Sequence, residues 1–261
     1  MIEFFQSLIR YRGVLFYRTI ASLRADARRL YLGYIWWILE PVLNTALYFF
    51  VFAVILETRT EDFIGYLLLG TTVYQWFQSS VVGTMGTILE RAQLYRQIPL
   101  PKYLFSLISV FSSTWKFLCV FSIISAYAMF TSGSSVTWAF LWLPILVTIQ
   151  LLLIFGLSVP LAIGSAYIRD LQTFMGLIFR AGMFLSAIFW DISKVPENLK
   201  LVFFANPLAS MIQAFRSVIL DGTAPNLYHI TYVLILGLLL IQVGMVWHRK
   251  IDLHILKHVE S

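Results

Sequence analysis

The chain has 261 residues, of which 59% belong to the hydrophobic set and only 12% are Asp, Glu, Lys or Arg. A soluble domain carries roughly 25% charged residues, so the composition excludes an ordinary water-facing surface and predicts a membrane protein. The formal net charge of +6 does not indicate nucleic-acid binding, because no nucleic-acid module with interleaved aromatic and basic residues accompanies it. The single cysteine, Cys119, excludes an intrachain disulfide and a cysteine-based metal site.

The first predicted element is an amphipathic helix within residues 1–33. Apolar residues recur there at three- and four-residue spacing, while the arginines lie mostly off the stripe. The stripe consists of Phe16, Ile20, Leu23, Ala27 and Leu30. This pattern is typical of a basic helix in the cytoplasmic membrane interface, and a solvated helix face is the alternative.

Residues 1–22 lack the apolar run of a cleaved signal peptide, so the next apolar segment is expected to act as an uncleaved insertion signal.

Six apolar segments between residues 34 and 248 have roughly the length needed to cross a bilayer core of about 30 Å as helices. They are 34–56, 64–82, 104–130, 139–163, 174–190 and 230–246. With a cytoplasmic N-terminus, thirteen Lys and Arg residues fall in inner segments and four in outer segments. Lys and Arg favour the cytoplasmic side, so both termini, including the tail 249–261, are predicted to be cytoplasmic.

The inner loop 84–102 predicts a short helix between two spans. Thr87 and Glu90 have the spacing of a capping box, which starts a helix. Pro99 and Pro101 end it, because the residue before a proline disfavours the helical conformation. A short helix that mixes apolar and basic residues suits docking into another protein; an inert connecting loop is the alternative.

The outer segment 191–227 predicts a re-entrant helical hairpin. Asn206 is a good N-cap and Pro207 suits the first helical position. The segment is therefore interpreted as two short helices, 197–204 and 207–220, with Gly222 closing the second. Such backbone is tolerated at membrane depth only where protein or a cavity covers it.

Motifs for chemistry are absent from the sequence. There is no phosphate-binding loop for ATP, no nucleophile elbow and no zinc-protease motif. His254 and His258 have a ligand spacing but lie on a charged tail, so they are interpreted as solvated and no metal site is expected. Apart from Glu40, the carboxylates fall at span ends or in loops, which argues against an ion-coupled transporter and an intramembrane protease.

Two cations and many aromatic residues fall within the predicted spans. A charged side chain at membrane depth costs free energy, so Lys116 and Arg180 need a partner. One interpretation is contact with an anionic substrate group; the alternatives are snorkelling to the interface or pairing across helices. Aromatic rings pack against the C–H faces of sugars, although core or lipid packing is the alternative for each. The aromatic candidates for a sugar path are Trp36, Trp37, Tyr48, Phe49, Tyr74, Trp76 and Phe77.

Several of these segments together resemble a known family. Arg24-x-Asp26 precedes the run Y-L-G-Y-I-W-W-I-L-E-P at 31–41, and Q-I-P-L-P follows at 97–101. Arg169-Asp170 follows the fourth span, and Asn206-Pro207 with Arg216 occupies the outer hairpin. Along its whole length the chain resembles the ABC-2 type permeases that export O-antigen, capsular polysaccharide or teichoic acid. The G-Y-x-W-x-x-L-E-P variant is more similar to the lipopolysaccharide and capsule branch.

The resemblance implies one transmembrane domain over 1–261, in a homodimer with two copies of a separate ATPase subunit that holds ATP and Mg²⁺. It implies a bacterial inner-membrane exporter of lipid-linked polysaccharide, with an aromatic-lined path between the two permeases. The resemblance also assigns roles to individual residues. The implied coupling residues are Glu90, Arg91, Leu94, Tyr95 and Arg96. The implied periplasmic gate comprises Asn206, Pro207 and Arg216.

Arg28, Arg29 and Lys116 are the candidates for contact with the anionic lipid head. Two alternatives stay open. The first is the same architecture moving a different cargo, such as teichoic acid, a drug or a lipid. The second is a membrane enzyme acting on polyprenyl lipids, for which no catalytic set is apparent.

Overall fold

The structure, a computed structural model, describes residues 10–55, 57, 63–87, 103–132, 137–168, 170–190, 203 and 205–251. Within these ranges all regular secondary structure is helical, which confirms the predicted all-α class for the described part of the chain. The α-helices are α1 Arg12–Arg28, α2 Trp36–Phe49, α3 Phe63–Met85, α4 Tyr103–Ser132, α5 Leu143–Tyr167, α6 Leu171–Phe184, α7 Pro207–Ile219 and α8 Leu227–Ile251.

Four helical segments of the described chain are long and apolar enough to cross a membrane. They are Gly33–Ile55, Tyr103–Thr131, Trp138–Tyr167 and Leu227–Trp247, which correspond to the first, third, fourth and sixth predicted spans. The second predicted span is α3, which has 23 residues and is more polar and more buried. The fifth is α6, whose 14 residues extend about 21 Å.

Two predicted spans differ from the structure in shape. The first is not one α-helix, because a 3₁₀ turn at Gly33–Ile35 precedes α2 and a π-helical stretch, Phe50–Ile55, follows it. The fifth begins earlier, at Leu171, and ends at Phe184 rather than at residue 190. Turns and bends replace the helix over 185–190, where Ala187 has a φ of +54°. Continuous α-helix requires a negative φ, so the helix cannot pass this residue.

Helix α3 occupies the interior of the molecule and touches α2, α4, α5, α6 and α7. Its hydrogen bonds to neighbouring helices involve small polar side chains. The Thr45 and Thr71 hydroxyls lie 3.1 Å apart between α2 and α3, and Gln150 on α5 donates its Nε2 to the Val73 carbonyl at 3.0 Å. The polar residues of α3 itself make it less apolar than the four spans above although it is more buried than they are; they are Thr71, Thr72, Gln75, Gln78, Ser79 and Ser80.

Helices α5 and α8 pack closely through glycines. A Cβ on Gly156 would lie 2.9 Å from the Gly237 carbonyl oxygen, and a Cβ on Gly237 would lie 3.1 Å from the Leu153 nitrogen. Small residues at such contacts let two backbones approach, which is the usual way that helices associate within a membrane.

Helix α1 packs beside α4, so the predicted amphipathic helix is present. Its protein-facing residues are Leu15, Leu23 and Ala27, whereas Phe16 and Leu30 from the predicted stripe are exposed. Leu23 and Ala27 of the predicted stripe are therefore buried as expected, Leu15 takes the place of Phe16, and the exposed apolar side chains stay free to contact lipid. The interfacial location itself stays a prediction.

Candidate functional site

A cavity of about 710 Å³ lies between α1, α2, α3 and α4. Its wall combines side chains of three kinds. The hydroxyl and amide groups belong to Ser22, Thr72, Gln75, Ser79, Thr87, Ser109, Ser112 and Ser113. The rings belong to Trp36, Trp37, Trp76 and Phe117, and the charged groups to Asp26, Arg29, Glu40 and Lys116. The cavity thus collects three of the predicted aromatic residues and two of the predicted cations.

The charge on Lys116 is paired across helices. Its Nζ donates to Asp26 Oδ2 at 2.6 Å, and the two side chains are 31% and 43% exposed. The same Nζ lies 5.5 Å from the centre of the Trp37 ring, within reach of a cation–π interaction. The structure therefore shows Lys116 paired across helices, and its contact with an anionic lipid head stays a prediction.

Trp76 connects the cavity to the interior. Its ring stacks on Phe117 with centroids 4.0 Å apart and planes at 11°, and its Nε1 donates to Thr114 Oγ1 at 3.2 Å. Offset stacking and a satisfied indole N–H fix the ring orientation. The cavity wall is therefore preformed on this side.

The predicted aromatic residues Tyr74 and Phe77 point away from the cavity. Both are buried, and both meet Phe179 of α6: the Tyr74 hydroxyl donates to its carbonyl, and the Phe77 ring lies edge-on 5.4 Å from its ring. This is the packing alternative that the sequence left open. Their contact with a substrate stays a prediction.

Tyr48 and Phe49 lie at the C-terminal end of α2, beyond the cavity-lining residues at its start, and do not line the cavity. Tyr48 lies edge-on 4.9 Å from the Phe189 ring, and its hydroxyl is 3.7 Å from Met183 Sδ. Phe49 faces Phe63 with ring centres 6.3 Å apart. The seven aromatic candidates therefore separate into a cavity group of three and an interior group of four.

Asn206 and Pro207 begin α7 as the sequence predicts. Asn206 Oδ1 accepts from the Leu208 backbone N–H at 3.0 Å, which confirms the N-cap. Its Nδ2 also donates to the Leu185 carbonyl at 3.2 Å and to Ser186 Oγ at 3.1 Å. The cap therefore also ties α7 to the segment after α6. Gly222, with a φ of +62°, lies just after the helix end as expected.

Arg216, on α7, is 1% exposed. Its Nη1 donates to the Ala187 carbonyl at 2.7 Å, and its Nη2 donates to the carbonyls of Ile188 and Tyr66, each at 2.9 Å. The guanidinium carbon lies 3.3 Å from the centre of the Tyr66 ring. Space for it exists because residue 70 is glycine, where a Cβ would overlap with the guanidinium. Arg216 thus joins α7, α3 and the turn after α6.

The remaining predicted residues divide by location. Arg29 lines the cavity, whereas Arg28 is exposed on α1 and lies outside it. The coupling candidates Glu90, Arg91, Leu94, Tyr95 and Arg96 lie outside the described residues, as do His254 and His258. No group of three or more His, Cys, Asp and Glu side chains that could hold a metal occurs within the described ranges.

Sequence analysis missed the polar stripes that build the cavity. Thr72, Gln75 and Ser79 follow one another at three- and four-residue spacing on α3, and Ser109, Ser112, Ser113 and Lys116 do so on α4. Three- and four-residue spacing puts side chains on one helix face. A polar stripe at that period within two apolar spans was the available signal.

The profile of the ABC-2 type transporter family matches residues 14–220. This chain belongs to that family. It is 28% identical over 220 residues to the O-antigen export system permease protein RfbA of Klebsiella pneumoniae, covering 84% of each chain. It is 24% identical over 228 residues to the protein of the same name from Myxococcus xanthus, covering 87% of each. It is 20% identical over 232 residues to the polysialic acid transport protein KpsM of Escherichia coli, covering 88% of this chain and 90% of that one.

The family resemblance predicted from the sequence is therefore confirmed. This ABC-2 permease is a multi-pass inner-membrane protein and a transporter subunit rather than an enzyme. ABC-2 permeases work with an ATPase partner, and ATP hydrolysis belongs to that separate subunit. The alternative of a membrane enzyme acting on polyprenyl lipids receives no support.

Proposed function

We propose that this ABC-2 permease is the membrane subunit of an ATP-driven exporter that moves a lipid-linked polysaccharide, O-antigen or capsule, from cytoplasm to periplasm. One observation carries the proposal: two O-antigen export permeases and a polysialic acid transport protein each match more than four fifths of the chain. All three names refer to glycan polymers, so teichoic acid, a drug or a lipid is a less favoured cargo.

The proposed topology has six spans with both termini in the cytoplasm. The Lys and Arg distribution supports this orientation. Helix α1, with its four arginines and its exposed Phe16 and Tyr17, suits the cytoplasmic interface. The segment 191–227 then lies on the periplasmic side as a re-entrant hairpin, with α7 as its second helix and Asn206, Pro207 and Arg216 as the gate.

The proposed assembly is a homodimer with two copies of an ATPase subunit that binds ATP and Mg²⁺. Helix α6 supports the homodimer because none of its residues is buried within one copy. Phe174, Leu177 and Ile178 are exposed there together with Arg180. A guanidinium facing lipid is costly, whereas a second copy or a polar path at the dimer axis would accommodate it.

The proposed mechanism begins when ATP binding closes the ATPase dimer. A coupling helix around residues 90–96 passes this movement to the first, second and fifth spans and opens a path at the dimer axis. Aromatic rings contact the sugars, and basic residues near the cytoplasmic side, Arg28 among them, receive the diphosphate. Repeated hydrolysis advances the polymer outward.

The coupling step is tested by replacing Leu94 and Tyr95 with glutamate. We expect ATP-driven export to be lost while the permease stays folded, because two carboxylates would not enter an apolar docking groove. Phe130→Glu, at the other end of α4 and 88% exposed, is the matched control and should leave coupling intact. Normal export by the Leu94 and Tyr95 variant would mean that the ATPase docks elsewhere.

Export itself is tested in inside-out membrane vesicles that contain the permease and its ATPase. We expect ATP-dependent accumulation of the lipid-linked polymer in the lumen. The control is a complex whose ATPase cannot hydrolyse ATP, which should accumulate none. If the complex hydrolyses ATP and no polymer enters the vesicles, the proposed function is wrong.

A further inference from the structure

We infer that the cavity between α1, α2, α3 and α4 binds a sugar unit of the exported lipid within one copy of the permease, apart from any path at the dimer axis. This inference rests on the proposed function, because it assumes a lipid-linked glycan as cargo. It assigns the cavity to the sugar and not to the diphosphate.

The charges of the cavity favour a neutral ligand. Two cations, Arg29 and Lys116, and two carboxylates, Asp26 and Glu40, line it, so the formal charges balance. Lys116 is already bound to Asp26 at 2.6 Å, and a diphosphate would have to displace that carboxylate and then face Glu40. A sugar needs no displacement, because carboxylates accept from its hydroxyls and ammonium or guanidinium groups donate to them.

The uncharged wall also suits a polyhydroxylated ligand. Thr72 is 4% exposed, lines the cavity, and its hydroxyl has no hydrogen-bond partner among the described residues. The oxygen itself lies beneath the cavity wall, so a ligand reaches it once the Thr72 side chain rotates about χ1, which would give the hydroxyl the partner that buried hydroxyls nearly always have. Ser112 donates to the Ile108 carbonyl at 2.8 Å, which leaves its oxygen free to accept.

The aromatic residues and the position of the cavity complete the argument. Trp36 is partly exposed and Trp37 half-buried at the cavity wall, and a flat ring packs against the C–H face of a sugar. The volume of about 710 Å³ lies within the range of roughly 300–1,000 Å³ for small-molecule sites. Arg28 is exposed on the same helix outside the cavity, where a diphosphate can stay while the lipid chain remains in the bilayer.

The test uses the purified permease–ATPase complex in lipid nanodiscs and two radiolabelled probes. One is a polyprenyl diphosphate that carries a single N-acetylglucosamine, and the other is the same lipid without sugar. We expect the sugar to tighten binding to the wild type. Thr72→Val should weaken binding of the sugar-bearing probe about 3- to 10-fold, the range for one hydrogen bond, and leave the other probe unchanged.

Thr72→Val also separates a ligand role from a structural one, because losing an unpartnered hydroxyl should not lower thermal stability. Ser80→Ala is the matched control: Ser80 is on the same helix, 0% exposed and equally unpartnered among the described residues, but does not line the cavity. Trp36→Leu should weaken sugar-dependent binding as well, whereas Trp115→Leu, outside the cavity on α4, should not.

Three results would overturn the inference. The first is that the wild type binds both probes equally or binds neither. The second is that Thr72→Val and Ser80→Ala change binding of the sugar-bearing probe to the same extent. The third is that Lys116→Gln weakens binding of the sugar-free probe as much as binding of the sugar-bearing probe, which would assign the diphosphate to the cavity. Vesicle export distinguishes this failure from failure of the proposed function. Export by the wild type with one of these binding results rejects only the sugar site, whereas absence of export rejects the function.

Discussion

Lys116 and Arg216 are both cations in an apolar chain, and the structure stabilises them in different ways. Lys116 pairs with one carboxylate from α1 and keeps 31% of its side chain exposed. Arg216 is 1% exposed and donates to three backbone carbonyls from two other parts of the chain. The lysine therefore joins α1 and α4 through an ion pair that can exchange partners. The arginine joins α7 to α3 and to the turn after α6, and separating these elements would leave buried carbonyls without a hydrogen bond.

This difference indicates that the two ends of the molecule have different freedom to move. The α1 side has a cavity of about 710 Å³ and an ion pair that is weak enough to break during transport. The α7 side has a buried hydrogen-bond cluster around Arg216, so α7 should move together with α3 and the turn at Ala187 as one body. Variants around Arg216 should therefore lose more stability than variants of the Lys116 ion pair.

The largest effect is expected for Arg216→Met. It removes the donors to the Ala187, Ile188 and Tyr66 carbonyls and leaves those oxygens buried, at a cost of about 3 kcal/mol or more in the free energy of unfolding. Thermal unfolding of the purified permease in nanodiscs measures the loss. Arg18→Met, at an exposed arginine on α1, is the control and should unfold within a few degrees of the wild type. Equal stability of the two variants would contradict the view that Arg216 fixes α7 to α3 and to the turn after α6.

A smaller effect is expected for Gly70→Ala, which tests the same cluster without touching the arginine. A Cβ at this position overlaps with the Arg216 guanidinium, so the variant should lose about 1–3 kcal/mol, as overpacking usually does. Gly13→Ala on α1 is the matched control, because a Cβ there meets nothing within 4 Å and alanine favours a helix. Gly13→Ala should be neutral or stabilising; a Gly70→Ala variant that behaves in the same way would contradict the close packing.

The two regions also differ in how much of them the sequence could predict. The start and end of α7 follow from Asn206, Pro207 and Gly222, because capping is local and depends on neighbouring residues. The partners of Lys116 and Arg216 lie 90 and up to 150 residues away along the chain, and no local pattern specifies them. The end of α6 was missed for a related reason: Ala187 adopts a positive φ where its carbonyl accepts from Arg216, a contact visible only in the folded chain.

The aromatic candidates illustrate the same limit. Composition predicted that rings would crowd the first two spans, and they do. Helix period alone does not say which face meets a cavity and which meets α6, so Trp76 and Phe77, adjacent in sequence, diverge in the fold. The polar stripes on α3 and α4 would have resolved this, because the aromatic residue on the polar face is the one that lines the cavity.

A moderate effect is expected for Asn206→Ala, which removes the cap of α7. Loss of an N-cap costs about 1 kcal/mol, and the variant also loses the two Nδ2 bonds to the turn after α6. Asn206→Asp separates the two contributions, since it keeps the capping oxygen and removes the donors. We expect its thermal stability to lie between those of the wild type and the alanine variant; a value equal to that of the alanine variant would mean that the contacts to Leu185 and Ser186, lost in both, account for the whole effect and that the cap adds nothing.

The smallest effect on stability is expected at the ion pair. Asp26→Asn and Lys116→Gln should each lower the free energy of unfolding by about 1 kcal/mol or less, since a partly exposed pair is screened by water. The exchanged double variant, Asp26→Lys with Lys116→Asp, restores opposite charges at the same 2.6 Å contact and should recover most of that loss. A double-mutant cycle measures the coupling. If stability recovers in the exchanged variant but export does not, the ion pair has a role beyond holding α1 against α4. The exchange restores the attraction between opposite charges, but it moves the carboxylate to α4 and the ammonium to α1. A ligand in the cavity would then meet each charge on the wrong helix.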